Sequence, residues 1–172
     1  MIALTYSRIG YHRRKMDKIY SRGELARLRA AWKCEGKRVV FTNGCYDLLH
    51  PGHIRLLERA RSLGDVLILA LNSDESVQRL KGPTRPLIPQ WDRGRLASAL
   101  QSVDAVTYFD EDTPRELIAE ILPDILVKGA DWSHFIAGRE EVEAAGGQVM
   151  ALPLEAGFSS TNIVEELLKR IP

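Results

Sequence analysis

No apolar run in this chain approaches the roughly 20 residues that a helix needs to cross a bilayer, so no helical membrane span is encoded. Basic residues near the N-terminus (His12-Arg13-Arg14-Lys15) are not followed by an apolar signal core, and secretion is not expected. Cysteine is scarce: Cys34 and Cys45 have no paired spacing, which fits free thiols in a reducing, cytoplasmic setting. A formal net charge of +1 excludes the broadly basic surface of a nucleic-acid binder, so a nucleotide would have to be met by local charge. The two commonest nucleotide fingerprints, G-x-G-x-x-G after the first strand and G-x-x-x-x-G-K-[ST], are also missing. No internal repeat, low-complexity tract or interdomain linker is visible.

What remains is ordinary globular material, 45% hydrophobic and 27% charged over 172 residues, enough for one domain with a real core. Residues 1–15 lack an apolar period and read as a disordered tail, with Met16 as an alternative start and a domain over 16–172. Ser21-x-x-Glu24 is a capping box that opens a helix with Leu25, Leu28 and Trp32 on one face, ended by Gly36. Val39-Val40-Phe41 is a short strand, and Val66–Leu71 is a continuous apolar run suited to a strand buried on both faces. Ser76–Pro89, with three prolines, reads as a long loop. Helical spacing resumes over Pro89–Gln101, and Ala105–Phe109 forms a third strand. Thr113-Pro114-Arg115-Glu116 combines cap, first-turn proline and capping-box glutamate, and Pro123 ends that helix. Ile125–Val127 is a fourth strand, 140–145 a helix stopped by Gly146-Gly147, 148–154 a fifth strand and 161–171 a last helix. Alternating strands and helices specify the α/β class: a doubly wound parallel sheet of about five strands with helices on both faces. Ligands bind such sheets outside the carboxyl ends of the strands, here the loops 43–53, 72–89, 128–138 and 155–161.

The first of these loops carries the strongest chemistry. After Val39-Val40-Phe41 the chain passes Asn43-Gly44-Cys45-Tyr46-Asp47 and reaches His50-Pro51-Gly52-His53. From there Ile54, Leu56, Leu57, Ala60 and Leu63 recur at helical spacing. The first N–H groups of a helix lack partners and hold an anion. Gly52 would let a phosphate approach the backbone, Pro51 suits the first turn, and two imidazoles would add donors. Capping or surface histidines are the plainer alternative, and a zinc site has no completing ligands nearby. Gly157-Phe158-Ser159-Ser160-Thr161 opens the last helix and offers a second anion site of the same kind, or simply a cap from Ser160 or Thr161. The four loops also bring Lys81, Arg85, Lys128 and Asp131, and the helix after the second loop brings Arg93; any of these would by default be solvated surface charge.

Asn43-Gly44-Cys45-Tyr46-Asp47 followed by His50-x-Gly52-His53 resembles the signature of the cytidylyltransferase-like nucleotidyltransferase superfamily, and its N-G-C-[FY]-D form is similar to that of the heptose 1-phosphate adenylyltransferases. Gly157–Thr161 resembles the superfamily's C-terminal serine/threonine motif. Lys128-Gly129-Ala130-Asp131-Trp132 is similar to its K-G-G-D-[YW] segment, with Ala130 replacing a glycine. The resemblance runs from about Ser21 to Ile171. It implies a Rossmann-like fold and transfer of AMP from ATP, with Mg2+, to D-glycero-D-manno-heptose 1-phosphate. It further implies His50, His53 and Lys81 as catalytic groups. Asn43, Gly44, Cys45, Tyr46, Gly52, Arg93, Asp131, Gly157, Phe158, Ser159, Ser160 and Thr161 would bind the nucleotide, and no protein-bound metal is implied. Bifunctional relatives carry a sugar kinase ahead of this domain, so a separate kinase is expected here, with homodimerisation an open alternative. Within the superfamily, cytidylyl transfer to glycerol 3-phosphate or ethanolamine phosphate is the competing activity. From another class, a non-catalytic nucleotide-binding module competes.

Overall fold

Five parallel strands in the order β3-β2-β1-β4-β5 form the sheet: β1 (Val39–Gly44), β2 (Val66–Asn72), β3 (Ala105–Phe109), β4 (Ile125–Gly129) and β5 (Gln148–Leu152). The computed structural model describes residues 18–130, 136–153 and 157–170; the expected tail over 1–15 and Asp131 lie outside them. Seven helices are described: α1 (Arg22–Cys34), α2 (Pro51–Arg61), α3 (Asp74–Lys81), α4 (Gln90–Ser98), α5 (Arg115–Ile121), α6 (Arg139–Ala144) and α7 (Ser160–Leu168).

Side-chain alternation along each strand divides the core in two. Val39, Phe41, Val66, Ile68 and Ala70 point to one face, where they meet Leu25 of α1, Leu117, Ile118 and Ile121 of α5 and Val142 of α6. Val40, Leu67, Leu69 and Leu71 point to the other, where they meet Leu56, Leu57 and Ala60 of α2 and Ala97 of α4. All seven residues of β2 are buried, which is why it reads as one apolar run instead of an alternating one. Both faces are covered, as the α/β pattern predicts.

The chain winds outward from β1 through β2 to β3, then returns to place β4 on the other side of β1. The order therefore reverses between β1 and β4, and the crevice above their carboxyl ends is the usual ligand position. β1 is longer than the expected Val39–Phe41: it stays paired with β2 through Asn43 and Gly44, delivering those residues to the crevice.

Several local expectations are corrected. The expected loop over Ser76–Pro89 is helical through Lys81, because Ser73 caps α3 by accepting from the Ser76 N–H and Asp74 and Glu75 favour its first turn. Ser76 and Val77 are α3's only buried residues, so it carries almost no apolar period for sequence reading to detect. Thr113 does not cap α5: Pro114 occupies the cap position, with no side-chain hydrogen bond. The cap of α7 is Ser159, whose side chain accepts from the Asn162 N–H 3.1 Å away, and not Ser160 or Thr161. The Ser21–Glu24 capping box of α1 forms as expected.

Candidate active site

Above the β1/β4 reversal lies a cavity of about 560 Å³. Its lining includes Asn43, Gly44, Cys45, Tyr46, His50, Gly52, His53, Lys81, Phe158, Ser159, Ser160 and Thr161, so twelve of the fifteen expected site residues converge on one space. Gly157 precedes them in a left-handed conformation (φ 83°) without lining the cavity. Thr42, Asp47, Leu56, Asn72, Leu80, Asp112, Thr113, Pro114, Lys128, Gly129 and Ala137 complete the described walls.

Two helix N-termini meet here. His50 is the N-cap of α2 and Pro51 its first residue. The His50 Nδ1 accepts from the His53 N–H at 3.3 Å, so the neutral imidazole carries its proton on Nε2, leaving a donor for a ligand. The two imidazoles stack, with centroids 3.7 Å apart and planes 16° from parallel. Beneath His53 sits the Tyr46 ring at 4.6 Å. Tyr46 reaches that place with φ 48°, a strained conformation for an aromatic residue and one typical of functional loops. Burial pushes its phenol up, opposed in part by a hydrogen bond with Thr42.

The N-terminus of α7 is docked onto that of α2. The Phe158 ring lies 6.1 Å from His50, and the Ser160 hydroxyl donates to the Leu48 carbonyl at 3.2 Å. Gly52 permits this approach: a Cβ there would lie 3.0 Å from the Phe158 Cβ and 3.1 Å from the His50 Nδ1. The unpaired N–H groups of both helices and the Ser159, Ser160 and Thr161 hydroxyls thus border a single space, an arrangement suited to several phosphates in series.

Charge in the site is set for an anion that brings its own protons or cations. Burial first, then the His50 and Lys81 charges, lower the His53 pKa from 6.5 to about 4, against a hydrogen bond to the Leu48 backbone. Burial also lowers that of His50. Cys45 is pushed up by burial, despite the opposing pull of Lys81, Arg93 and Lys128, so its thiol stays protonated and is no ready nucleophile. Lys128 leaves β4 into the cavity and donates to the Asn43 carbonyl at 3.2 Å, joining the two strands at the reversal.

The depressed His53 pKa has a measurable consequence. Between pH 6.5 and 4 the unfolded chain binds the proton that the folded, ligand-free chain refuses. Stability is therefore fully present above 6.5 and declines as pH falls toward 4. Urea unfolding is expected to show a lower midpoint at pH 5 than at pH 7.5, with the difference reduced in His53→Ala. An unchanged difference in that variant would place the effect in other groups.

Arg93 corrects an expectation. Its side chain is completely buried outside the cavity lining, with Nη1 donating to the Cys45 carbonyl at 2.7 Å, Nε to the Ile88 carbonyl at 3.0 Å and Nη2 to Asp74 at 2.6 Å. Every arm of the guanidinium is occupied by protein, so Arg93 builds the site's wall instead of meeting phosphate. Lys128, named among the loop charges and in the K-G-G-D-like segment but not as a site residue, is the residue that sequence reading undervalued; its place at the end of a buried strand beside the reversal was the available signal.

Comparison with known proteins agrees with this geometry. The cytidylyltransferase-like family model matches residues 41–166. The bifunctional protein HldE of Trichlorobacter lovleyi is 52% identical over 160 residues, covering 92% of this chain and 33% of that protein. The bifunctional protein HldE of Geobacter sulfurreducens is 53% identical over 146 residues, covering 84% of this chain and 30% of its own length. The chain therefore spans about a third of these curated relatives. Among solved structures, a lipopolysaccharide core biosynthesis protein from Thermoplasma volcanium superposes with a TM-score of 0.58 at 29% identity, covering 70% of this chain and 98% of that one. Pantoate-beta-alanine ligase from Francisella tularensis, complexed with beta-gamma ATP and beta-alanine, has a TM-score of 0.56 at 14% identity, covering 89% and 79%, and shares the fold. With the match running from β1 into α7, through both helix N-termini that frame the cavity, the chain belongs to the cytidylyltransferase-like family.

Proposed function

We propose that this domain transfers AMP from ATP to D-glycero-D-manno-heptose 1-phosphate, releasing pyrophosphate and giving ADP-heptose. The observation that carries this is the convergence of two helix N-termini, two stacked histidines and Lys81 on one cavity at the β1/β4 reversal. The choice of heptose phosphate and ATP is supported by the Asn43–Asp47 form of the motif and by identity of about half to the HldE proteins.

In the proposed step an oxygen of the sugar phosphate attacks the α-phosphorus of ATP. The bond from that phosphorus to the oxygen bridging it to the β-phosphorus breaks, and pyrophosphate leaves with the electron pair. The attacking oxygen is already anionic, so no enzyme nucleophile is required, in keeping with a protonated Cys45. The domain's part is positioning and charge stabilisation. His50, through Nε2, and His53 donate to oxygens of the α-phosphate, and Lys81 offsets charge on the phosphates. The α2 and α7 N-termini hold the triphosphate. Bound phosphates raise the His53 pKa and so favour its cationic form, whereas His50, whose Nδ1 accepts from the His53 N–H, acts as a neutral donor through Nε2.

Mg2+ belongs to this scheme as the counter-ion of the triphosphate. Among the described residues no three His, Cys, Asp or Glu side chains cluster into a metal cage. Mg2+ usually keeps several waters and is bound through substrate phosphates. A sugar kinase activity acting on heptose would supply the acceptor, and the reaction would take place in the cytoplasm. No described helix is long and apolar enough to cross a membrane.

A pyrophosphate-release assay with ATP, CTP, GTP and UTP against heptose 1-phosphate and glycerol 3-phosphate tests the assignment. The expected outcome is release with ATP and heptose 1-phosphate well above every other pair. Equal or faster release with CTP and glycerol 3-phosphate would reassign the domain to cytidylyl transfer.

A further inference from the structure

We propose that Arg85 and Asp47 are positioning residues that fix the Lys81 ammonium at the cavity, an inference that rests on the adenylyl-transfer assignment above. Lys81 is the last residue of α3 and makes no hydrogen bond or ion pair among the described residues, so its place depends on how the helix is held. The helix buries only Ser76 and Val77; the Ser76 hydroxyl accepts from the Asn72 amide and donates to the Glu111 carbonyl, both at 3.0 Å, which holds the first turn and leaves the Lys81 end to other contacts.

Polar anchors hold both its ends. At the N-terminus Asp74 accepts from Arg93 at 2.6 Å and from the Gln90 N–H at 3.1 Å, while the Gln90 side chain accepts from the Asp74 N–H at 3.2 Å. At the C-terminus Gly82 turns the chain in a left-handed conformation (φ 95°), and its carbonyl accepts from the Arg85 N–H at 3.1 Å, closing a turn directly after Lys81. Arg85 then donates through Nε to Asp47 at 2.6 Å. The other Asp47 oxygen accepts from the Leu87 and Ile88 N–H groups at 2.7 and 3.0 Å. The Asp47 side chain is fully buried and that of Arg85 is 12% exposed. Asp47 follows Cys45 and Tyr46 in the loop that leads to His50. One carboxylate thus ties the Lys81 turn to the histidine loop.

A buried ion pair is a weak source of stability, because desolvation offsets much of its attraction. What it imposes is a direction: the fork of Arg85 and two backbone N–H groups on one carboxylate admits a single arrangement. Lys81 would then be held in register with His50 and His53, where a displacement of about 1 Å can cost on the order of 100-fold in rate.

The test is a double-mutant cycle of Arg85→Met and Lys81→Met, read as kcat, KM for both substrates and thermal melting, with amide exchange at Leu87 and Ile88. Asp47→Asn serves as a second variant that retains an acceptor for those amides. Arg85→Met is expected to lower kcat about 10- to 100-fold in the protein that remains folded, with a lowered melting point because Asp47 is left buried without its partner, and faster exchange at both amides. Asp47→Asn should give a kcat loss of the same order. Because Arg85 acts through Lys81, the double variant should be within about twofold of Lys81→Met alone. Losses that multiply, or a kcat for Arg85→Met near the parent value, would overturn the proposal. If the parent itself forms no ADP-heptose, the adenylyl-transfer assignment fails separately. The clamp is then judged by exchange alone: unchanged Leu87 and Ile88 amides in Arg85→Met would overturn it.

Discussion

His53→Ala is expected to lower kcat by about 10²–10³-fold, the range for removing one preorganised donor to a developing oxyanion, some 2.7–4 kcal/mol. ATP affinity should change far less, because the α2 and α7 N-termini and the Ser159–Thr161 hydroxyls still hold phosphates. The separation of effects follows from the local geometry. The imidazole lies between the Tyr46 and His50 rings and lines the cavity, with a hydrogen bond to the Leu48 backbone holding one side of the ring and leaving the other for a ligand. A structural His53 predicts the reverse: a lowered melting point, with normal turnover in whatever remains folded. Thermal melting, ATP affinity and kcat measured on one preparation decide between them, and a folded variant with near-parental kcat rules out the catalytic role.

Arg93→Ala should act in the opposite sense. Its guanidinium joins the Cys45 and Ile88 carbonyls to Asp74, and its loss leaves two carbonyls and a carboxylate without their donor. Breaking a buried pair typically costs about 3–5 kcal/mol, and the lower end applies because Asp74 is partly exposed. At about 2–4 °C per kcal/mol for a domain of this size, the melting point should fall on the order of 10 °C. Arg93→Lys should recover little, since a single ammonium cannot reproduce three divergent donors. A variant that melts like the parent but binds ATP poorly would restore Arg93 to the phosphate site.

These two residues also mark what the sequence could and could not reveal. The strands and the alternation of helices were legible because each buries a continuous apolar stretch: β2 is apolar over Val66–Leu71, and Leu56, Leu57 and Ala60 repeat at helical spacing in α2. The two helix N-termini that line the cavity were legible because His50-Pro51-Gly52-His53 and Ser159-Ser160-Thr161 carry cap and donor residues in adjacent positions. Helix α3 was not, since its single cap residue and single buried apolar side chain leave no period. Arg93 was misassigned because its partners, the Cys45 carbonyl and Asp74, lie 48 and 19 residues away, and only the tertiary fold shows that the guanidinium is already saturated. For Asp47 the sequence left open whether it orders the loop or touches substrate, because its contacts are 38 to 41 residues distant and two of them are backbone N–H groups, which no residue pattern records.

Adenylyl transfer is tested most directly by the identity of the product. Incubating the protein with ATP, Mg2+ and D-glycero-D-manno-heptose 1-phosphate, and following the mixture by mass spectrometry and 31P NMR, measures it in one experiment. ADP-heptose and pyrophosphate appearing in equal amounts, with none formed by His53→Ala on the same timescale, is the predicted result. ATP that binds yet is never consumed, or a nucleotide sugar formed equally well by His53→Ala, would contradict it.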